Sequence, residues 1–248
     1  MIELKRNWRR VTFRLRRLTQ LLEPSYLAQR HRFSNSGLAY CAGIAVARKP
    51  FDFLFNSTAF IVSAEDYESG LVQAIRTQIR PDDRVCIVGG GLGVTAALAG
   101  SLAKSVVCYE ASKPFARISA DTARLNGLTN VKLVEAVVGL DVAVYGKQKS
   151  DHIMPAEALD DCDLLEMDCE GAEATILRHM TIRPRVIVVE THGLYGAPTD
   201  MIASLLRDKG YSVQNLGIAE TRFAEMCRKA DIMCLVGLRS EKHEQVAG

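Results

Sequence analysis

The chain has 248 residues, with 31 Lys and Arg against 29 Asp and Glu, 48% apolar and 24% charged residues. Those proportions exclude a disordered tail protein, a collagen and a cysteine-stapled mini-protein. The length suits one large domain, or one domain with an appendage, able to bury a core without metals or disulfides.

The formal charge of +2 hides an uneven distribution. Residues 1–32 hold nine basic and two acidic residues, a surplus of +7 that leaves −5 for the other 216. In this arm Leu4, Trp8, Val11, Leu15, Leu18 and Leu22 recur at steps of 4 and 3, one stripe of an α-helix that Pro24 stops. The stripe predicts docking on the body or on a second copy, which would make a homodimer. A helix on an anionic membrane surface or a clamp on nucleic-acid phosphate are the alternatives. Residues 33–83 are less regular: FDFLF and AFIV read as strands and residues 67–79 as a helix before the turn Pro81-Asp82-Asp83.

From residue 84 strands and helices alternate. RVCIV is a strand, followed by Gly89, Gly90, Gly91 and Gly93, and residues 94–103 form a small-residue helix. SVVCYE is a second strand, and residues 114–125 are helical up to the Asn126-Gly127 stop. Strands over 131–135, 164–168, 186–190 and 232–238 and helices over 172–180 and 201–209 complete the pattern, with Gly210 as a cap. This is an α/β protein with a mainly parallel sheet. Ligands bind such sheets beyond the carboxyl ends of the strands. Those ends carry the glycine loop, Glu110, Glu135, Asp168 and Glu190.

The seven cysteines, Cys41, Cys86, Cys108, Cys162, Cys169, Cys227 and Cys234, include no C-x-x-C pair. A zinc site is therefore not expected, and reduced buried thiols of a cytoplasmic protein are. The longest apolar run has ten residues, against about 20 for a bilayer span. The N-terminus also lacks the apolar core of a signal peptide.

Glycine between strand and helix lets a ligand approach the backbone, and free N–H groups at the helix start face it. Read as G-x-G-x-G (Gly89, Gly91, Gly93), the loop suits an adenosyl cofactor. Read as G-x-G-x-x-A (Gly91, Gly93, Ala96), it suits a dinucleotide. Glu110, ending the next strand, can accept hydrogen bonds from both ribose hydroxyls in either case. A dinucleotide dehydrogenase would further need a proton donor, often with a carboxylate-binding Arg. The chain instead places Asp168-Cys169-Glu170-Gly171-Ala172-Glu173 after one strand and Glu190-Thr191-His192 after the next.

At these residues the chain resembles FkbM-type S-adenosylmethionine-dependent methyltransferases. DLLEMDCEGAE is similar to that family's D-L-L-K-I-D-V-E-G-A-E signature, and VIVVETH to its next strand with an E-x-H ending. NGLTNVKLVEAVVG, VGGGLG and VCYEAS resemble three further family segments, in order, over residues 67–213. Two positions depart: Ile87 stands where the family usually has an Asp that orients the cofactor's amino-acid end, and Glu166 where it usually has a Lys.

The resemblance implies a Rossmann-like class I methyltransferase fold with a mainly parallel seven-stranded sheet, helices on both faces and the basic N-terminal helix attached. It divides the chain into a lead-in, residues 1–66, and a methyltransferase domain, residues 67–248. It implies S-adenosylmethionine as cofactor, held by Gly89, Gly91, Gly93 and Glu110, with Glu135 and the Ala136 N–H beside the adenine. Tyr67 and Glu68 would cover the methionine end, and Asp168 would line the cofactor. The implied reaction is O-methylation of a small-molecule or sugar hydroxyl. His192 is the first candidate base, since an unperturbed imidazole titrates near 6.5, and Asp168 is the second. Asp168 could otherwise be the N-cap of the following helix, and Glu170 and Glu173 merely favourable charges at its N-terminus. Asp168, Glu170 and Glu190 could converge on a divalent metal, but the family is not generally metal-dependent and none is expected. A catalytically degenerate cofactor-binding protein, prompted by Ile87, is one alternative. An RNA methyltransferase using the basic arm is another.

Overall fold

A computed structural model of the chain describes residues 38–47, 65–139 and 149–239. The basic helix of the arm and the FDFLF and AFIV strands lie outside them. The described residues from Tyr40 onward belong to one compact unit.

A short hairpin, β1 (Leu38–Cys41) and β2 (Ile44–Ala47), turns through Ala42 and Gly43, both at positive φ. Helix α1 (Ser69–Gln78) leads into β3 (Arg84–Val88), then α2 (Val94–Leu102), β4 (Ser105–Glu110), α3 (Lys113–Leu125) and β5 (Val131–Glu135). Two two-residue strands follow, β6 (Val137–Val138) and β7 (Ile153–Met154). Then come β8 (Leu164–Met167), α4 (Glu173–His179), β9 (Val186–Glu190), α5 (Thr199–Asp208), β10 (Tyr211–Ile218), α6 (Ala224–Ala230) and β11 (Met233–Arg239).

Seven strands form one sheet in the order β10-β11-β9-β8-β3-β4-β5. The five from β5 to β9 run parallel, while β11 is antiparallel to both its neighbours. The parallel strands are apolar on both faces because helices cover both. Leu165, Met167, Ile187 and Val189 pack under Ile176 and Leu177 of α4 and Ile202 and Leu206 of α5. The opposite face is covered by α1, α2 and α3.

Two local devices hold the frame at the end of the sheet away from the glycine loop. Asp83, in the predicted turn, accepts from Arg80 N and from Arg185 Nη2, each at 2.7 Å. Asn126, ending α3, exchanges two hydrogen bonds with Ala45 of β2, which pins the hairpin.

The predicted strands from β3 to β9 and the helices between them appear within one or two residues of the expected bounds. Strand β10 and helix α6 had no clear signal. β10 is an edge strand with Gln214, Asn215 and Leu216 exposed, so it lacks the continuous apolar run of the buried strands.

Candidate functional site

The glycines do three different jobs. Gly89, at φ +101°, sits where a Cβ would lie 1.7 Å from the Asp168 carbonyl oxygen. That closeness follows from the sheet: Gly89 N–H donates to Tyr109 O and Asp168 N–H donates to Val88 O, both at 2.9 Å. Gly93, at φ +79°, leads into α2, and a Cβ there would be 2.7 Å from Ser119 Cα of α3. Gly91, at φ +48°, has nothing within 4 Å of its Cβ position. Packing thus requires Gly89 and Gly93, whereas Gly91 turns left-handed beside open space that a ligand can fill.

Glu110 closes this loop. Its Oε2 accepts from Gly91 N–H at 2.8 Å and its Oε1 from Ser112 N–H at 2.7 Å. Burial raises its pKa, and the N–H groups of Ser112 and Gly91 oppose the rise. Each carboxylate oxygen keeps acceptor capacity for a further donor. Ser112 Oγ beside it is buried without a partner among the described residues. Nothing in the sequence singled out Ser112.

Glu135 pairs in register with Glu110 but its side chain is exposed. Ala136 is buried, and its N–H donates to the Glu110 carbonyl at 3.0 Å. The Ala136 N–H thus continues the backbone bonding beyond β5.

A second group lies across the sheet. Register pairs Glu166 of β8 with Ile87 of β3 on one side and Val188 of β9 on the other. Residues two apart on a strand share a face, so Asp168 and Glu190 stand one row above Glu166, on the face that also holds Ile87. Ile87, where the family usually has an acid, is thus flanked in register by an acid on the adjacent strand. His192 Nε2 is 3.4 Å from Asp168 Oδ1 and 3.8 Å from Glu190 Oε1, and the imidazole is buried.

The imidazole is oriented from behind. His192 Nδ1 lies 2.8 Å from Glu173 Oε1. Glu173 is fully buried at the start of α4, and it also accepts from Cys169 N–H at 3.0 Å and Gly171 N–H at 2.9 Å. Its role extends well beyond the helix dipole expected of it. Asp168 does not cap α4, whose N-cap is Ala172. The loop between them is strained: Glu170 is left-handed at φ +56°, and a Cβ on Gly171 would sit 2.6 Å from the Tyr195 carbonyl oxygen.

Charge at the site is lopsided. Burial pulls the His192 pKa down, but the Glu173 hydrogen bond and the Asp168 charge override it and hold the imidazole at about 9. This corrects the expectation of an imidazole near 6.5, because at neutral pH the ring is a cation. Asp168 is pushed up to about 7 by burial, with His192 opposing. Glu68, left-handed at φ +44° just before α1, is pushed up to about 8 by burial and by the Asp168 charge. Glu190 and Glu166 are raised by burial and by neighbouring acids. Asp168, Glu68, Glu166 and Glu190 thus raise one another's pKa, a setting suited to a cationic ligand.

Residues 92–213 match the family described as Methyltransferase FkbM domain. The chain carries an FkbM-type methyltransferase domain. The match starts in the glycine loop and ends in β10, so it contains Glu110, Asp168, Glu173, Glu190 and His192 and leaves Glu68 outside. No curated protein matches the sequence significantly. Among solved structures, the chain is similar to Trm5b from Pyrococcus abyssi, with TM-score 0.50 and 14% identity over 83% of this chain and 56% of that one. It is also similar to a ribosomal protein L11 methylase from Lactobacillus delbrueckii subsp. bulgaricus, with TM-score 0.49 and 15% identity over 71% and 81%. A third is a precorrin-6y C5,15-methyltransferase from Geobacter metallireducens GS-15, with TM-score 0.49 and 15% identity over 73% and 92%. The FkbM domain has the class I methyltransferase fold, and its cofactor is S-adenosylmethionine. The site fits that group in kind: open space at Gly91, a carboxylate with spare acceptor capacity at Glu110, and a cluster of buried acids across the sheet.

Proposed function

We propose that this chain methylates a hydroxyl oxygen on a small molecule or sugar. The observation that carries the reading is the buried Glu173–His192–Asp168 chain opening on the strand ends next to the glycine loop. Methyl transfer from an activated donor needs mostly alignment, but a neutral hydroxyl must also lose its proton. A proton acceptor beside the cofactor edge supplies that.

S-adenosylmethionine, when bound, supplies an electrophilic methyl group on a sulfonium. Glu110 would accept from its ribose hydroxyls, with Gly91 giving room and Gly89 and Gly93 keeping the loop in place. Glu68 and Glu166 would face the ammonium of its amino-acid end. Asp168 takes the acceptor's proton, because His192, already protonated near neutral pH, cannot. His192 instead balances the charge of Asp168 from 3.4 Å away. His192 becomes an acceptor itself only as pH approaches its pKa of about 9.

Six of the seven cysteines are buried, which supports a reducing, cytoplasmic setting. Among the described residues no helix is long and apolar enough to cross a membrane.

The test has two stages. Calorimetric titration with S-adenosylhomocysteine should show binding, and Glu110→Ala should weaken it about 100-fold, as expected for the loss of two charged hydrogen bonds of about 1.5–3 kcal/mol each, partly replaced by water. Transfer from radiolabelled S-adenosylmethionine to a panel of sugar and phenolic hydroxyls should then depend on Asp168. Binding undiminished in Glu110→Ala overturns the cofactor assignment. Tight binding without transfer to any hydroxyl supports the degenerate alternative. Salt-sensitive RNA binding by the full chain with transfer to RNA would move the acceptor to nucleic acid.

A further inference from the structure

We propose that Asp168, Glu190 and His192 form a site for a divalent cation, with Asp168 Oδ1, a Glu190 oxygen and His192 Nε2 as its protein ligands. These three atoms lie within 4.8 Å of one another. Atoms bound to one ion at about 2.1 Å stand roughly 3–4.2 Å apart. The separations of 3.4 Å from Nε2 to Asp168 and 3.8 Å to Glu190 fall in that range. Neither contact is a hydrogen bond of ordinary length. Nε2 is thus aimed between two carboxylates from adjacent strands without properly bonding to either.

Two independent observations call for a cation there. Glu190 Oε2 is buried with no hydrogen-bond partner among the described residues. Glu166, one row beneath the group on the same face, is fully buried with both carboxylate oxygens unpartnered among the described residues. None of the three acids has a Lys or Arg ion-pair partner among the described residues. Buried carboxyls without partners are costly, and a cation among them lets them ionise and gives their oxygens a partner.

The surroundings have the form of a metal site's outer shell. A ligating histidine characteristically gives its other ring N–H to a carboxylate, which fixes the ring and leaves the facing nitrogen for the ion. Glu173 does this to Nδ1 at 2.8 Å, from a carboxylate held in turn by two backbone N–H groups. The set of two carboxylates and one imidazole, with positions left open, suits Mn2+ or Zn2+ better than Ca2+. Glu170, weighed from sequence as a third ligand, is not in the group.

The site deepens the proposed methyl transfer, and its binding test stands apart from it. A hydroxyl held on the ion becomes more acidic, as metal-bound water does. Its proton passes to the Asp168 oxygen that does not hold the ion, leaving the oxygen ready for the methyl group.

The experiment is a titration of the full chain with Mn2+, without cofactor, followed by electron paramagnetic resonance of the free ion, with Zn2+ calorimetry as a second arm. One saturable site is expected. Asp168→Asn, Glu190→Gln and His192→Gln should each weaken it tenfold or more, and Glu173→Gln about 10–100-fold. Glu110→Gln should leave it unchanged. S-adenosylhomocysteine binding by Glu190→Gln shows that this variant is folded. Absence of saturable binding of either ion, or binding indifferent to these substitutions, overturns the proposal. Competitive displacement of Mn2+ by S-adenosylhomocysteine also overturns it, since the acids would then belong to the cofactor's amino-acid end. Cofactor binding and transfer without metal would defeat this inference alone. Metal binding without transfer would defeat only the function proposed above.

Discussion

Glu173 Oε1 and His192 Nδ1 lie 2.8 Å apart, both buried, joining the start of α4 to the loop after β9. The bond links two chain segments that each follow a parallel strand, and it sets which ring nitrogen faces Asp168. A carboxylate that looks like helix-end decoration in the sequence becomes the support of the site.

Glu173→Gln removes the charge but keeps an acceptor. The His192 pKa should fall from about 9 toward its ordinary value of 6.5, since the Glu173 hydrogen bond heads the influences that raise it. Imidazole signals in a two-dimensional NMR pH titration would show this. Stability should drop by about 1–3 kcal/mol, the cost of weakening a buried charged hydrogen bond. An unmoved pKa would show that Asp168 alone holds the imidazolium.

The ligand-free protein should lose stability as pH rises. Glu68 moves from 4.5 to about 8, Asp168 from 3.8 to about 7 and His192 from 6.5 to about 9 on folding. In each case the folded state holds its proton to higher pH than the unfolded state. The slope of unfolding free energy with pH is therefore negative between about pH 4 and 9. The His192 contribution is full below 6.5 and lost as pH passes 9. Thermal unfolding from pH 5 to 9 checks this, and a cationic ligand should flatten the decline.

Two glycines in one loop should respond differently to alanine. Gly89→Ala forces a Cβ to 1.7 Å from a backbone oxygen and should prevent folding or destabilise by more than about 3 kcal/mol. Gly91→Ala meets open space and carries only left-handed strain of about 1–2 kcal/mol. Urea unfolding should show a folded Gly91→Ala protein whose affinity for S-adenosylhomocysteine is reduced, because the methyl enters the space left for the ligand.

Glu166→Met should stabilise the ligand-free protein. The carboxyl is fully buried with both oxygens unpartnered among the described residues, and such a group costs about 1–3 kcal/mol. The thioether fills a similar volume without that cost. A rise in urea midpoint with weaker cofactor or cation binding would show that Glu166 is kept for a ligand. A fall would show that the carboxyl has a stabilising partner after all.

The strand and helix run from Arg84 to Glu190 was legible because local physics fixes it. β-branched apolar runs, glycine stops and Pro114 act within a few residues. Glu110 was legible for the same reason, as the last residue of a strand beside a glycine loop. β10 was not, since half its side chains face water and carry no apolar signal. Ser112, Glu173 and the Ala136 N–H were not, because each role is set by a partner elsewhere in the chain.

By itself the sequence determined the fold class, the glycine loop and the family signature, which are properties of local order along the chain. Only the tertiary structure decided which acids face one another. The parallel register put Glu166 beside Ile87 and set Asp168 and Glu190 one row above. Return of the chain after β9 then brought His192 between Asp168 and Glu173. Charge on the imidazole follows from that meeting: an isolated histidine titrates near 6.5, and the fixed carboxylates of Glu173 and Asp168 outweigh burial and carry it to about 9.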